Sequence, residues 1–221
     1  MNDKREYDIV QVMKLIDDNK LVKSYLKGCP YDLLKYWQVR HFKKGEAILT
    51  QGQRCNEFSI IISGFAEITN VSEDGKTYCL AIYRKGDILG ELEIFDKLDY
   101  CCNAVAMSDL TLIEIKADKF YELVNRDNQF ILNLTKNICR SFYNLSLKAS
   151  EDTMKPIKYR ICSLLVGFVR DKMYVEKTGK VLVKKSKISD IMAVSTRSID
   201  RAIKDLKEDG AISIKDGYIY I

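Results

Sequence analysis

The chain has 221 residues, 47% of them hydrophobic, a length that favours two domains with apolar residues enough for a core in each. All of its formal charge of +5 falls in residues 151–221, which hold 15 basic and 10 acidic residues against 21 of each before them. No run approaches the roughly 18 consecutive apolar residues of a membrane-spanning helix, and the acids in MNDKREYDIVQVMKLIDDNK interrupt what a signal peptide keeps apolar, so a cytoplasmic protein without a membrane partner is expected.

Residues 5–37 read as helical, with an amphipathic run Ile9, Val12, Met13 and Ile16 and a break at Gly28-Cys29-Pro30. From Val39 to about Ile115 the pattern turns to short apolar or alternating runs: AILTQGQ, FSIIISG, FAEITNVS, TYCLAIY, ILGELEIF, NAVAM and LTLIEI. Strands of that length with glycine-containing turns predict a small all-β sandwich or barrel. Glu73-Asp74-Gly75-Lys76 is a hairpin signal, because glycine takes the positive φ such a turn needs.

Ala117–Val124 predicts a short helix, and residues 127–150, free of Gly and Pro, predict a long one. Ile131, Leu134, Ile138, Phe142, Leu145 and Ala149 recur on one face at three- and four-residue spacing. That stripe either packs on the β-domain or joins two copies of the chain. Pro156 suits the first turn of a further helix, Ile157–Asp171, which places a domain boundary near 150–156. A strand pair around Thr178-Gly179 follows.

Ser186 is read as the cap of a helix KISDIMA, Val194-Ser195 as a turn, and Ser195 as the cap of a second helix TRSIDRAIKDLKED that stops at Gly210. Ile188, Ile191 and Met192 with Ile199, Ile203 and Leu206 supply a shared core, leaving Thr196, Arg197, Asp200, Arg201 and Lys204 on the opposite face. Two short helices of this kind make a helix-turn-helix, and AISIKDGYIYI adds a hairpin wing around Asp-Gly. Arg197 and Arg201 share a face near the helix start, where a guanidinium can bond guanine O6 and N7 together. Lys184, Lys185 and Lys187 are expected at phosphates, fixing register without reading bases. The basic C-terminal third agrees with a nucleic-acid partner.

Cysteines stand at 29, 55, 79, 101, 102, 139 and 162, an odd number without CxxC or zinc spacing, which argues against a disulfide framework and suggests mostly reduced, packed thiols. A vicinal disulfide, a metal site shared with Cys79 and simple packing all remain open for Cys101-Cys102. His41 is read as structural. One His, no phosphate-binding loop and no nucleophile elbow leave an enzyme without support.

KKGEAILTQGQ, RKGDILGELEIF, the long helix and SKISDIMAVSTRSIDRAIKDLKEDGAI, in this order, make residues 20–221 resemble the family of the cyclic AMP receptor protein and the fumarate and nitrate reductase regulator. The resemblance implies an α+β chain: a cyclic-nucleotide-binding-like β-roll over 1–126, a dimerisation helix and hinge over 127–155, and a winged helix-turn-helix over 156–221. It implies a homodimeric transcription regulator joined through residues 127–150. Double-stranded DNA would be read by Ser195, Thr196, Arg197, Ser198 and Arg201 with Lys185 and Lys187 at the backbone, and RNA polymerase would be a further partner.

The resemblance also places an effector pocket at Gly90, Glu91, Leu92, Cys101, Cys102, Leu145 and Ser146. Here the chain departs from the family. Cys101 stands where cyclic-nucleotide binders carry the arginine that holds the cyclic phosphate, and Leu145 replaces one of two hydroxyl residues at the adenine. Each lost charge-assisted bond removes about 1.5–3 kcal/mol, so cyclic AMP is not the expected effector and no cofactor is assigned. In the recognition helix, the family's Arg-Glu pair becomes Thr196-Arg197, and the turn position that often carries Gly is Ala193. A different DNA half-site is expected. A ligand or thiol-redox sensor using Cys101 and Cys102, with DNA binding secondary or constitutive, is the alternative.

Overall fold

In the computed structural model, which describes residues 9–73, 75, 77–171, 173–192 and 194–221, every segment of period-two apolar alternation has become a strand or part of one. Three helices come first: α1 (Ile9–Asp17), α2 (Lys20–Leu26) and α3 (Tyr31–Leu34). The expected break at Gly28-Cys29-Pro30 is there, but the chain also breaks at Asp18-Asn19, where the Asn19 side chain accepts from the Val22 amide at 3.3 Å. Of the early apolar run, Val12 and Ile16 are buried whereas Met13 is exposed. Residues 5–8 of that expected helix lie outside the described residues.

Eight strands follow: β1 (Gln38–Phe42), β2 (Ala47–Leu49), β3 (Glu57–Ser63), β4 (Phe65–Val71), β5 (Thr77–Arg84), β6 (Ile88–Leu89), β7 (Asn103–Ala106) and β8 (Leu110–Lys116). They form two antiparallel sheets, β1-β8-β3-β6 and β2-β7-β4-β5. One core lies between the sheets, with Ile61, Leu110 and Leu112 from the first and Ala66, Ile68 and Ala104 from the second. The other face of the first sheet, carrying Phe58, Ile60, Ile113 and Ile115, packs under the helices. Successive strand residues point to opposite faces, so a strand buried on both reads as FSIII, apolar but for the buried Ser59. The β4–β5 turn has Gly75 at φ 79, its amide bonded to the Ser72 carbonyl at 2.8 Å; Asp74 and Lys76 of that turn lie outside the described residues. ILGELEIF keeps only Ile88–Leu89 as strand, and residues 91–97 form consecutive turns.

Helix α4 (Ala117–Arg126) is longer than its expected span, and α5 (Asn128–Met154) has 27 residues, about 40 Å at 1.5 Å per residue. Asp127 starts α5 by accepting from the Gln129 and Phe130 amides, both at 3.0 Å. Phe130 is buried in an aromatic cluster with Phe58 and Phe120, at ring-centroid distances of 5.8 and 5.9 Å.

The chain divides into two compact units, Met1–Arg140 and Ser141–Ile221. In the second, α6 (Ile157–Arg170) begins directly after Pro156. Next come β9 (Tyr174–Val175), β10 (Lys180–Lys184), α7 (Lys185–Met192), α8 (Thr196–Glu208), β11 (Ser213–Lys215) and β12 (Tyr218–Tyr220). The last strands add to the β9–β10 pair in the order β11-β12-β10-β9. Buried Ile161, Leu165 and Phe168 of α6 and Val181 and Val183 of β10 fill this unit. No helix among the described residues is long and apolar enough to cross a membrane.

Candidate functional site

In the second unit, the six apolar residues expected to join the two short helices are all buried: Ile188, Ile191 and Met192 on α7, and Ile199, Ile203 and Leu206 on α8. Ala202 joins them. Ser195 caps α8 with φ −61 and ψ 144, its hydroxyl accepting the Ser198 amide at 3.2 Å. The Ser195 and Ser198 hydroxyls are 2.9 Å apart. At the far end Gly210 takes φ 72 and bonds the Lys207 carbonyl at 3.0 Å. Burying one face leaves Thr196, Arg197, Asp200, Arg201 and Lys204 exposed on the other.

Helix α7 starts one residue earlier than the sequence reading places its cap: Ser186 lies inside the helix, and the helix begins at Lys185. Lys185, like Lys187, therefore stands on the helix rather than ahead of it. Lys185 reaches Asp200 of α8 at 2.7 Å, and Lys187 lies 3.8 Å from Asp190. The Lys185 amide donates to the Gly217 carbonyl at 2.9 Å, which ties the start of α7 to the tip of the β11–β12 hairpin. That tip turns through Asp216 at φ 51 and Gly217 at φ 75, the paired positive values of a tight hairpin turn. Ala193, in the turn between the helices, lies outside the described residues.

Arg160 of α6 is a residue that sequence reading passed over. It is nearly buried, donates to the Met192 carbonyl at the end of α7 at 3.0 Å, and pairs with Asp152 at 2.6 Å. A lone arginine among apolar positions of a helix was the available signal.

The second candidate site is in the first unit. Gly90 has φ 87, and a Cβ there would stand 2.4 Å from the Glu57 carbonyl oxygen, so only glycine fits this close approach. Glu91 beside it is partly buried, and Leu92 is 58% exposed. The Cys101 peptide is gripped from two sides: its amide donates to buried Glu93 at 3.1 Å, and its carbonyl accepts from Asn70 Nδ2 at 2.8 Å. Cys101 is exposed and Cys102 half-buried. Glu93 and Asn70 were not foreseen, because nothing in a strand pattern marks which polar residue turns inward.

Burial, then the Glu93 and Asp87 carboxylates, push the Glu91 carboxyl up to about 8. Burial, the neighbouring Cys101 thiol and the two glutamates push Cys102 up to about 12. Cys101 is raised by burial and Glu93, and Tyr83 by burial with Glu91 and Asp87. The charged neighbours that raise the Glu91 carboxyl, the phenol and the two thiols are all acidic. Cys79 is buried with its thiol 3.6 Å from the Ala81 carbonyl, and no three His, Cys, Asp or Glu among the described residues are placed to hold a metal ion. Leu145 and Ser146 belong to the second unit and are exposed, the Ser146 hydroxyl bonding the Phe142 carbonyl at 3.0 Å.

The long helix divides its apolar stripe. Leu134 is buried, and Ile131 and Ile138 pack on the helix-side core of the first unit. Phe142 and Leu145 are 70% and 58% exposed, and Ala149 is exposed as well.

Residues 39–127 match the family described as the cyclic nucleotide-binding domain. The chain is 23% identical over 189 residues to the cAMP-activated global transcriptional regulator Vfr of Pseudomonas aeruginosa, covering 83% of this chain and 88% of that one. It is 24% identical over 205 residues to the Anaerobic regulatory protein of Bacillus subtilis, covering 90% and 84%. Its fold is similar to that of the c-di-GMP responsive global regulator CLP of Xanthomonas campestris, with TM-score 0.75, 15% identity, and 91% and 97% coverage. FixK2 of Bradyrhizobium japonicum is likewise similar, with TM-score 0.69, 17% identity, and 84% and 92% coverage. The α+β architecture expected from the sequence is the architecture of these proteins. The full-length relatives are regulators rather than enzymes, in line with the sequence reading.

Proposed function

We propose that this chain, a cyclic nucleotide-binding domain followed by a helix-turn-helix and a wing and similar to cyclic AMP receptor and fumarate-nitrate regulators along most of its length, is a dimeric, sequence-specific DNA-binding transcription regulator. The observation that carries this is α8. Its apolar face is buried with α7, its start is capped by Ser195, and its opposite face presents Thr196, Arg197 and Arg201. A helix held in that way can enter a major groove with its first turns at the base edges. Thr196, Arg197 and Arg201 read sequence; Ser195, Ser198, Lys185 and Lys187 serve the backbone and the cap.

The exposed half of the α5 stripe, Phe142, Leu145 and Ala149, is the surface assigned to a second copy of the chain, within residues 127–150. Residues 1–126 then sense, 127–155 join and hinge, and 156–221 bind DNA, in the cytoplasm and with RNA polymerase as a further partner. Effector control would start from Gly90, Glu91, Leu92, Cys101 and Cys102. Such control requires two states with different effector affinity.

The pocket does not fit a cyclic phosphate. Where a cation would hold the phosphate stand two thiols, and the neighbours are Glu91 and Glu93. A phosphate placed there gains no charge-assisted bond from the two thiols. Cyclic AMP titrated calorimetrically into the pure protein is expected to give no micromolar binding; micromolar or tighter binding removes this assignment. The thiol-redox alternative loses ground for a related reason: thiols held protonated react slowly with oxidants.

Selection from a pool of random duplexes tests the main proposal. An inverted repeat with half-sites about one helical turn apart is the expected product. A pool without enrichment overturns the regulator assignment, and enrichment of a single unrepeated site overturns the dimer.

A further inference from the structure

The first turns of α8 present one exposed acid among their bases: Asp200 stands between Arg197, one turn before it, and Arg201 and Lys204, while the exposed acids Asp205 and Glu208 lie nearer the far end of the helix. A carboxylate on a surface that approaches phosphates is repelled by them, so its place there calls for a partner on each side. The first partner is present. Lys185 Nζ lies 2.7 Å from Asp200 Oδ1, and the two side chains are 32% and 51% exposed. Lys185 is itself fixed, because its amide is bonded to Gly217 at the wing tip and the neighbouring Lys184 is in register with Tyr218 of β12. The ion pair therefore joins wing, α7 and α8 at the edge of the recognition face.

We infer that Asp200 is a base-reading residue that selects a cytosine in each DNA half-site, with Lys185 as its positioning residue. This rests on α8 being the recognition helix. A carboxylate only accepts hydrogen bonds. In the major groove the exocyclic donors are N4 of cytosine and N6 of adenine, whereas guanine and thymine present acceptor oxygens. Adenine N6 adjoins the N7 acceptor, which faces a carboxylate unfavourably, so cytosine is the base that suits Asp200. Lys185 offsets the charge of Asp200 as the helix nears the phosphates and leaves the second carboxylate oxygen for the base. Arg197 and Arg201, both donors only, suit guanine. The face thus reads donor, acceptor, donor along one and a half turns, a pattern that two arginines alone do not supply.

Duplex selection with the wild-type chain, Asp200→Ala and Asp200→Asn separates the possibilities. The wild type is expected to fix a cytosine at one position of each half-site, with roughly tenfold or greater loss of affinity when that base is changed. Asp200→Ala is expected to tolerate any base there while keeping the guanine positions. Asp200→Asn, which keeps the shape and gains a donor, is expected to move the preference towards adenine. Unchanged base profiles in both variants overturn the inference while leaving the regulator reading intact; a wild-type chain that enriches no duplex overturns both.

Lys185→Ala is expected to lower both affinity and cytosine preference, and the Lys185→Ala/Asp200→Ala double variant to bind random DNA more tightly than Lys185→Ala alone. Additive losses, with cytosine preference intact in Lys185→Ala, remove Lys185 from the positioning role.

Discussion

Glu93 accepts the Cys101 amide at 3.1 Å from a position almost without solvent exposure, so a buried carboxylate fixes the backbone just where the pocket presents two adjacent thiols. A charge kept out of water needs hydrogen bonds to offset its desolvation. Here the amide of Cys101 supplies one, and in return Glu93 frames the path of the 101–102 segment.

The carboxyl of Glu91 provides a pH test of that frame. Its value rises from 4.5 to about 8 on folding. Between those values the folded chain holds a proton that the unfolded chain has released, so stability falls as pH rises through that window, by on the order of 1 kcal/mol per pH unit. Glu91→Gln removes the titration. Urea midpoints measured from pH 5 to 8.5 are expected to decline for the wild type and to flatten for the variant. Parallel profiles would place Glu91 in a solvated, unperturbed setting.

Cys101 and Cys102 are expected to alkylate slowly. Both are raised above the usual thiol range, Cys102 to about 12, chiefly by burial, and the thiolate is the reactive form. Iodoacetamide at pH 7, followed by peptide mass spectrometry, is expected to label exposed Cys139 at least tenfold faster than Cys102. Faster labelling at Cys102 would restore the redox reading.

Phe142→Glu places a charge on the exposed half of the α5 stripe, where the wild-type side chain is 70% exposed and makes no core. The folded chain is expected to survive with its thermal midpoint little changed, while sedimentation shows dimer converting to monomer. Inserting a charge into an apolar interface leaves it desolvated and unpaired, costing several kcal/mol. A variant that stays dimeric locates the interface elsewhere.

Arg201→Ala is expected to weaken binding to the selected site by 1–3 kcal/mol, roughly 5- to 150-fold, and binding to random duplex far less. Arg201 is exposed on the same face as Arg197 and, as a donor-only fork, suits a guanine edge. Equal losses on both DNAs would move Arg201 to the phosphate contacts.

The helix-turn-helix was legible residue by residue because it is local: Ser195, Gly210 and the six apolar positions lie within 25 residues, and period alone sorts them onto faces. Both sheets of the first unit were legible as strands, but not as partners, since β1 pairs with β8 far along the chain, Gln38 with Glu114 and Phe42 with Leu110. The cap assigned to Ser186 lies two residues late, since α7 begins at Lys185, whose amide is bonded to Gly217, a contact from the wing that no local rule contains. The stripe on α5 reads as one face in sequence; its division at Ile138 depends on where the β-domain stops covering it. Glu93 and Asn70 escaped notice because their partners are backbone groups of Cys101, set by the path of the chain rather than by its composition.

Gly90 leaves no room for so much as a methyl group against the Glu57 carbonyl. The entrance to this segment is thereby locked, while ten residues on, at 101 and 102, side chains point from a backbone that is anchored by other groups. In a segment built like this, exchanging two adjacent side chains changes the chemistry presented at 101 and 102, and the surrounding framework need not be rebuilt.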